Sequence, residues 1–69
     1  MDRYYVNETE QTNGRDHEVH KNGCYWLSLI TYKKDLGLHY SCESAVFKAK
    51  KDYPTADGCK ICSNECHTS

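Results

Sequence analysis

His20 and Cys24 are separated by three residues that include Asn22-Gly23, and Cys59 and Cys62 by two residues, just after Asp57-Gly58. Imidazole and thiolate are the donors that zinc accepts, and a tight turn can aim two of them at one point about 2 Å from each. Each pair therefore reads as half of a tetrahedral site. One half lies before the middle of the chain and the other near its end, so a shared ion would clasp both regions, a long-range constraint that a small core lacks. Cys66 and His67 stand close behind. On a helix Cys59, Cys62 and Cys66 would share a face, so Cys66 or His67 can also enter the coordination shell.

Other readings of the same residues stay open. Cys59-Lys60-Ile61-Cys62 has the spacing of a thiol–disulfide motif, but that chemistry expects the pair to open a helix after a strand in a βαβ unit, and the chain shows no such unit. The cysteines can also pair as disulfides in a protein without metal. Cys42 and Cys66 read as small buried packing residues, with a bridge between them as the alternative. His17, His39 and His67 are expected to be exposed or satisfied by backbone bonds.

The chain has 69 residues, 28% of them charged and 38% hydrophobic, with a formal charge of −1 and a pI near 6.4. That size allows one small domain, residues 1–69, and excludes a multi-domain enzyme. Chains this short commonly add a metal, a disulfide or a partner to hold the fold. The charge balance provides no long-range field for nucleic acid or an anionic membrane. The longest apolar stretch, Tyr25 to Ile30, is too short to span a bilayer, and the first residues lack a signal peptide's apolar core. The expected compartment is the cytoplasm, where metal binding by cysteine takes precedence over disulfides. There is no Gly-rich phosphate loop, nucleophile elbow or helical zinc-protease motif.

The elements that position the donors follow from local pattern. Tyr4-Tyr5-Val6 and Glu18-Val19-His20 read as strands joined across a polar loop, Asn7 to Asp16, that contains Asn13-Gly14. In the second strand a period of two sets Glu18 and His20 on one face and His17 and Val19 on the other. Asn22-Gly23 is a tight turn. Lys33-Lys34-Asp35 reads as loop, and Leu36, Leu38 and Tyr40 as the buried positions of a third strand. Ser41 is a candidate cap for a helix near 42–52, whose Cys42, Ala45, Val46, Ala49 and Tyr53 recur at helical spacing before Pro54. Ala56-Asp57-Gly58 reads as a turn and Cys59 to Cys66 as a short terminal helix. Tyr4, Tyr5, Tyr25, Trp26 and Tyr40 are expected in the core rather than as stacking surfaces. Lys48, Lys50 and Lys51 read as a solvated face that matters for binding only if aligned with Arg15, Lys21 or Lys60.

The series Val19-His20, Cys24, Leu38, Ser41, Ala45, Tyr53, Cys59 and Cys62 resembles the Ada-type metal-binding domain over about residues 19–62. The wider string, with His17-Glu18-Val19-His20 and Cys66-His67-Thr68-Ser69, is also similar to small stand-alone bacterial proteins of unassigned function. The resemblance implies a small α/β fold with one zinc between hairpin and helix, held by His20, Cys24, Cys59 and Cys62. In the DNA-repair members the first of four cysteines accepts a methyl group from a phosphotriester. His20 stands at that position here, and imidazole cannot replace a zinc-activated thiolate in that role.

The expectation is an α+β domain: a small antiparallel sheet from the Tyr4, Val19 and Leu38 regions, packed on one main helix and stapled by structural zinc. Four protein donors leave no open position for water, so the chain is expected to be a binding module, not an enzyme. Its partner would be a protein or nucleic acid, with no membrane, and the chain a monomer. A nucleic-acid-binding accessory domain, or a disulfide- or thiol-containing protein without metal, is the alternative.

Overall fold

The structure is a computed structural model that describes residues 1–10 and 16–68. The Asn13-Gly14 turn signal, Arg15 and Ser69 lie outside the described residues. Strand β1 (Asp2–Asn7) is central, with β2 (His17–Lys21) antiparallel on one side and β3 (Lys33–His39) antiparallel on the other. A fourth strand, β4 (Ala56–Gly58), lies parallel to β2, so the sheet is mixed and its order is β3-β1-β2-β4. The helix α1 (Cys42–Ala49) packs on one face. The fold is α+β.

That face is built by alternation. Tyr4 and Val6 point inward from β1, Val19 joins them opposite Val6, and Leu36 comes from β3. Against them α1 sets Cys42, Ala45, Val46 and Ala49, four buried residues within two turns. Ala45 and Ala49 are small enough to let the helix axis approach the sheet closely. Tyr53 closes the end of the core, its ring 4.4 Å from that of His17 and its hydroxyl donating to Glu8.

Four expectations about these elements need correction. Ala56-Asp57-Gly58 is a strand, because the free edge of β2 supplies partners for its backbone from His17 to Val19. Lys33-Lys34-Asp35 begins β3 and pairs with Asn7, Val6 and Tyr5, its charges pointing to solvent or to opposite charges: Arg3 holds Asp35, and Lys34 pairs with Asp52. The segment after Cys59 is a series of turns ending in a short 3-10 helix, Asn64–Cys66. Helix α1 ends at Ala49, after which Lys51 and Asp52 donate to carbonyls only three residues back, a tightened last turn before Pro54.

The alternation of Leu36, Leu38 and Tyr40 also fails, for a local reason. The register passes from Tyr4–Gly37 to Tyr5–Asp35, so Leu36 is the extra residue of a β-bulge, with Gly37 at a φ of +86°. The bulge puts Leu36 inside and turns the next positions outward, leaving Leu38 52% and Tyr40 87% exposed. Tyr25 and Trp26, expected in the core, are exposed as well; of that apolar run Leu27 is the residue that goes under the surface. Among the described residues no helix is long and apolar enough to cross a membrane.

Candidate metal centre

Val19 and His20 are both buried, although they point to opposite faces of β2. Val19 meets the helix. His20 meets a second, smaller layer made by the Cys24 turn and the segment after β4. At the end of β2 the chain reverses through Asn22-Gly23, with Gly23 at a φ of +93° and the Cys24 N–H donating to the Lys21 carbonyl. A short 3-10 helix, Trp26–Leu29, follows and holds the turn against the sheet through Leu27. On the other side the Cys59 N–H donates to the Val19 carbonyl, continuing the parallel ladder by one residue and setting Cys59 beside His20.

The ligand atoms of His20, Cys24, Cys59 and Cys62 all lie within 4.8 Å of one another. His20 Nδ1 is 3.8 Å from Cys24 Sγ and 3.7 Å from Cys62 Sγ. For a tetrahedral ion at ordinary zinc–sulfur and zinc–nitrogen distances the sulfur–nitrogen edge is roughly 3.6 Å. The four residues can therefore hold a metal ion with little adjustment. His20 and Cys59 are buried, while Cys24 and Cys62 are partly exposed.

Charge and protonation favour the same role. Burial pushes the His20 imidazole below its ordinary value, which keeps it neutral and able to donate a lone pair. Burial also raises Cys62, with a hydrogen bond to Cys24 adding to it, and carries the thiol up to about 12. At Cys24 burial acts upward too, but the bond from Cys62 and the N–H groups of Trp26 and Leu27 outweigh it and bring the thiol below its usual value. The two sulfurs are thus linked by a hydrogen bond that favours the charged form at Cys24. The Lys21 N–H, 3.3 Å from Cys62 Sγ, supplies a further donor to sulfur. A divalent cation at this point would replace the shared proton and draw off the remaining ones.

The five cysteines divide into two groups. Cys42 and Cys66 form a disulfide, with Cα atoms 6.2 Å apart, while Cys24, Cys59 and Cys62 are free thiols. Cys66 is thereby removed from the candidate ligands, and the reading of Cys42 and Cys66 as mere packing gives way to the bridge that was its alternative. His67 is not in the cluster: its Nδ1 bonds the Gly58 carbonyl at 3.1 Å and lies 3.4 Å from Asp57. His17 bonds the Asn7 carbonyl and His39 the Leu36 carbonyl, so each of the three remaining histidines has a backbone partner. The Cys59-to-Cys62 segment opens turns rather than a helix, with the Ser63 N–H donating to the Cys59 carbonyl.

Two contributors were not visible in the spacing. Gly58 lets the terminal segment fold back directly over β4: a side-chain carbon there would lie 2.6 Å from the Ser63 carbonyl oxygen. Asp57 anchors the end of that segment, accepting from the Thr68 N–H at 3.0 Å and the Thr68 hydroxyl at 2.9 Å. No family model matches the chain, and comparison with curated proteins and with solved structures gives no match.

Proposed function

We propose that His20, Cys24, Cys59 and Cys62 bind one zinc ion as a structural staple, and that the chain is a small zinc-stabilised interaction module. The observation that carries this reading is the convergence of four donor atoms, from two distant parts of the sequence, within 4.8 Å. Three thiolates and an imidazole suit zinc better than the oxygen-preferring ions, and four protein donors close the tetrahedron against water. The resemblance to the Ada-type domain implies the same four ligands. Structural zinc in zinc-finger peptides binds with about 10–16 kcal/mol of apparent free energy at neutral pH, and here the share that organises the His20 layer is folding free energy.

Native mass spectrometry of the purified protein, reading metal count and thiol oxidation together, tests this directly. One zinc per chain and a mass lower by one disulfide's two hydrogens is the expected result. A metal-free chain that takes up no zinc after reduction of its thiols would overturn the proposal.

A second reading of the binding role draws support from the exposure of Tyr25 and Trp26. Their rings stand 5.4 Å apart, and Lys33 and Lys60 line the depressions on either side of them. Aromatic faces with flanking cations suit single-stranded nucleic acid, whose binding weakens steeply with salt. Association with a mixed-sequence oligonucleotide at low salt, lost at high salt, favours that partner; no association at low salt removes it and leaves a protein surface.

A further inference from the structure

Among the described side chains, one buried polar atom lacks a hydrogen-bond partner: His20 Nε2. Its residue is 1% exposed. Leaving such an atom unpaired in the interior is costly, so a native protein that keeps one has a use for it. The sulfurs of Cys24 and Cys62 both approach Nδ1, which makes Nδ1 the nitrogen that would face a metal. A neutral imidazole that gives Nδ1 to a cation carries its proton on Nε2. With a cation on Nδ1 the orphaned atom is an N–H, and what it faces determines how firmly the ring is held.

It faces Glu18. The carboxylate Oε1 lies 3.6 Å from His20 Nε2, on the same side of β2 by the two-residue period of the strand. Asp57, paired with Glu18 across the ladder, directs its oxygens to Thr68 and His67 instead. Glu18 lines a cleft of about 300 Å³ with Trp26, Cys59, Lys60 and Ile61, and its side chain is 19% exposed.

We propose that Glu18 is the positioning residue of the metal centre, accepting the Nε2–H of His20 once Nδ1 is committed to the cation. This rests on the metal-binding reading above. A carboxylate behind a ligating imidazole fixes the tautomer, holds the ring plane and strengthens the donor nitrogen, and removing such a partner typically lowers metal affinity about 10–100-fold. Glu18 is matched to the task by position: from two residues away on the same face of β2 its side chain brings Oε1 within 3.6 Å of the far nitrogen of the ring.

The test uses the full chain with Glu18→Ala and Glu18→Gln, zinc affinity being read by competition with a chromophoric chelator and the His20 ring nitrogens by NMR. The expected wild-type result is zinc on Nδ1 with a slowly exchanging Nε2 proton. Glu18→Ala should bind zinc about 10–100-fold more weakly and exchange that proton faster. Glu18→Gln, whose amide oxygen still accepts, should recover most of both, and this recovery separates positioning from a general loss of structure. Wild-type affinity in Glu18→Ala, no recovery in Glu18→Gln, or zinc on Nε2 would each overturn the assignment. A wild-type chain that binds no zinc would instead sink the metal-binding reading itself, so the two failures are distinguishable.

Discussion

The α-carbon of Gly58 lies directly beneath Cys66: a Cβ added at position 58 would come within 2.7 Å of Cys66 Cβ and 2.8 Å of its carbonyl carbon. Those atoms are backbone or belong to the bridge to Cys42, so they cannot swing aside as the tip of a lysine would. Gly58 is also the last residue of β4 and immediately precedes Cys59, a candidate ligand. Gly58→Ala should therefore cost about 1–3 kcal/mol of stability, the usual range for overpacking, and loosen the metal centre with it. Thermal unfolding of the zinc-loaded variant checks this; an unchanged midpoint would mean that the terminal segment does not press on β4.

How far such relationships can be read from sequence depends on whether they are local. The two candidate ligand pairs were legible because a knuckle is a local device: three intervening residues with Asn22-Gly23, and two after Gly58 and Cys59. Helix α1 was legible from its periodicity, and β1 and β2 from short runs of strand formers. The parallel pairing of β4 with β2 was not, since three residues containing Asp57 and Gly58 have turn composition and become a strand only because β2 offers an edge. The bulge at Leu36 was not legible either, because nothing local distinguishes Gly37 in a bulge from Gly37 in a regular strand. The exposure of Tyr25 and Trp26 follows from burying Leu27 under a short 3-10 helix, a choice made by tertiary contacts.

Removing the metal should unfold the sheet's second layer before its first. Val19 and the helix form a core of their own, and the bridge from Cys42 to Cys66 persists without the ion, whereas the side chains of His20, Cys24, Cys59 and Cys62 converge on the place the ion would take. Chelation of the zinc-loaded protein should abolish protection of the Cys24 and Cys59 amides first. Hydrogen exchange with and without chelator reads this out; equal protection in both states would show that the centre contributes nothing to local stability.

Losing a donor is more severe than losing a donor's partner. Cys59→Ser places a poor zinc ligand at a buried position and should lower zinc affinity by more than the roughly 100-fold ceiling for residues that only support a ligand. His20→Cys supplies a thiolate in place of the imidazole and should still bind one ion. Cobalt substitution distinguishes the two, because a tetrahedral thiolate site gives intense visible bands. Retention of wild-type affinity in Cys59→Ser would remove Cys59 from the ligand set.

The disulfide ties the first turn of α1 to the end of the segment that carries Cys59 and Cys62, across 24 positions. A loop of that size constrains the unfolded chain by roughly 3 kcal/mol in the chain-entropy picture. The double variant Cys42→Ala with Cys66→Ala should lose about that much stability while still binding one zinc, since neither sulfur belongs to the cluster. Denaturant unfolding and metal counting on the same sample check both halves. Loss of zinc together with the bridge would mean that the disulfide and the metal centre form one unit rather than two.

On the outer face of β1 and β3 the charges set a pH dependence of their own. The Gly37 N–H, 2.7 Å from Asp35 Oδ1, and the Arg3 guanidinium, at 2.8 and 3.0 Å from the two oxygens, hold the Asp35 carboxyl below its ordinary value of 3.8. Because the folded chain keeps this group ionised at lower pH than the unfolded chain does, its contribution is fully present above the unfolded value. It fades as the pH falls through the folded one. Both partners are exposed, so the effect on overall stability is small, but the titration itself is measurable. Carbon-13 NMR of the Asp35 carboxyl should find its midpoint below 3.8, moving upward in Arg3→Ala yet staying depressed by the remaining Gly37 bond. A midpoint at or above 3.8 in the unaltered protein would show that the bulge does not direct the Gly37 N–H at the carboxylate.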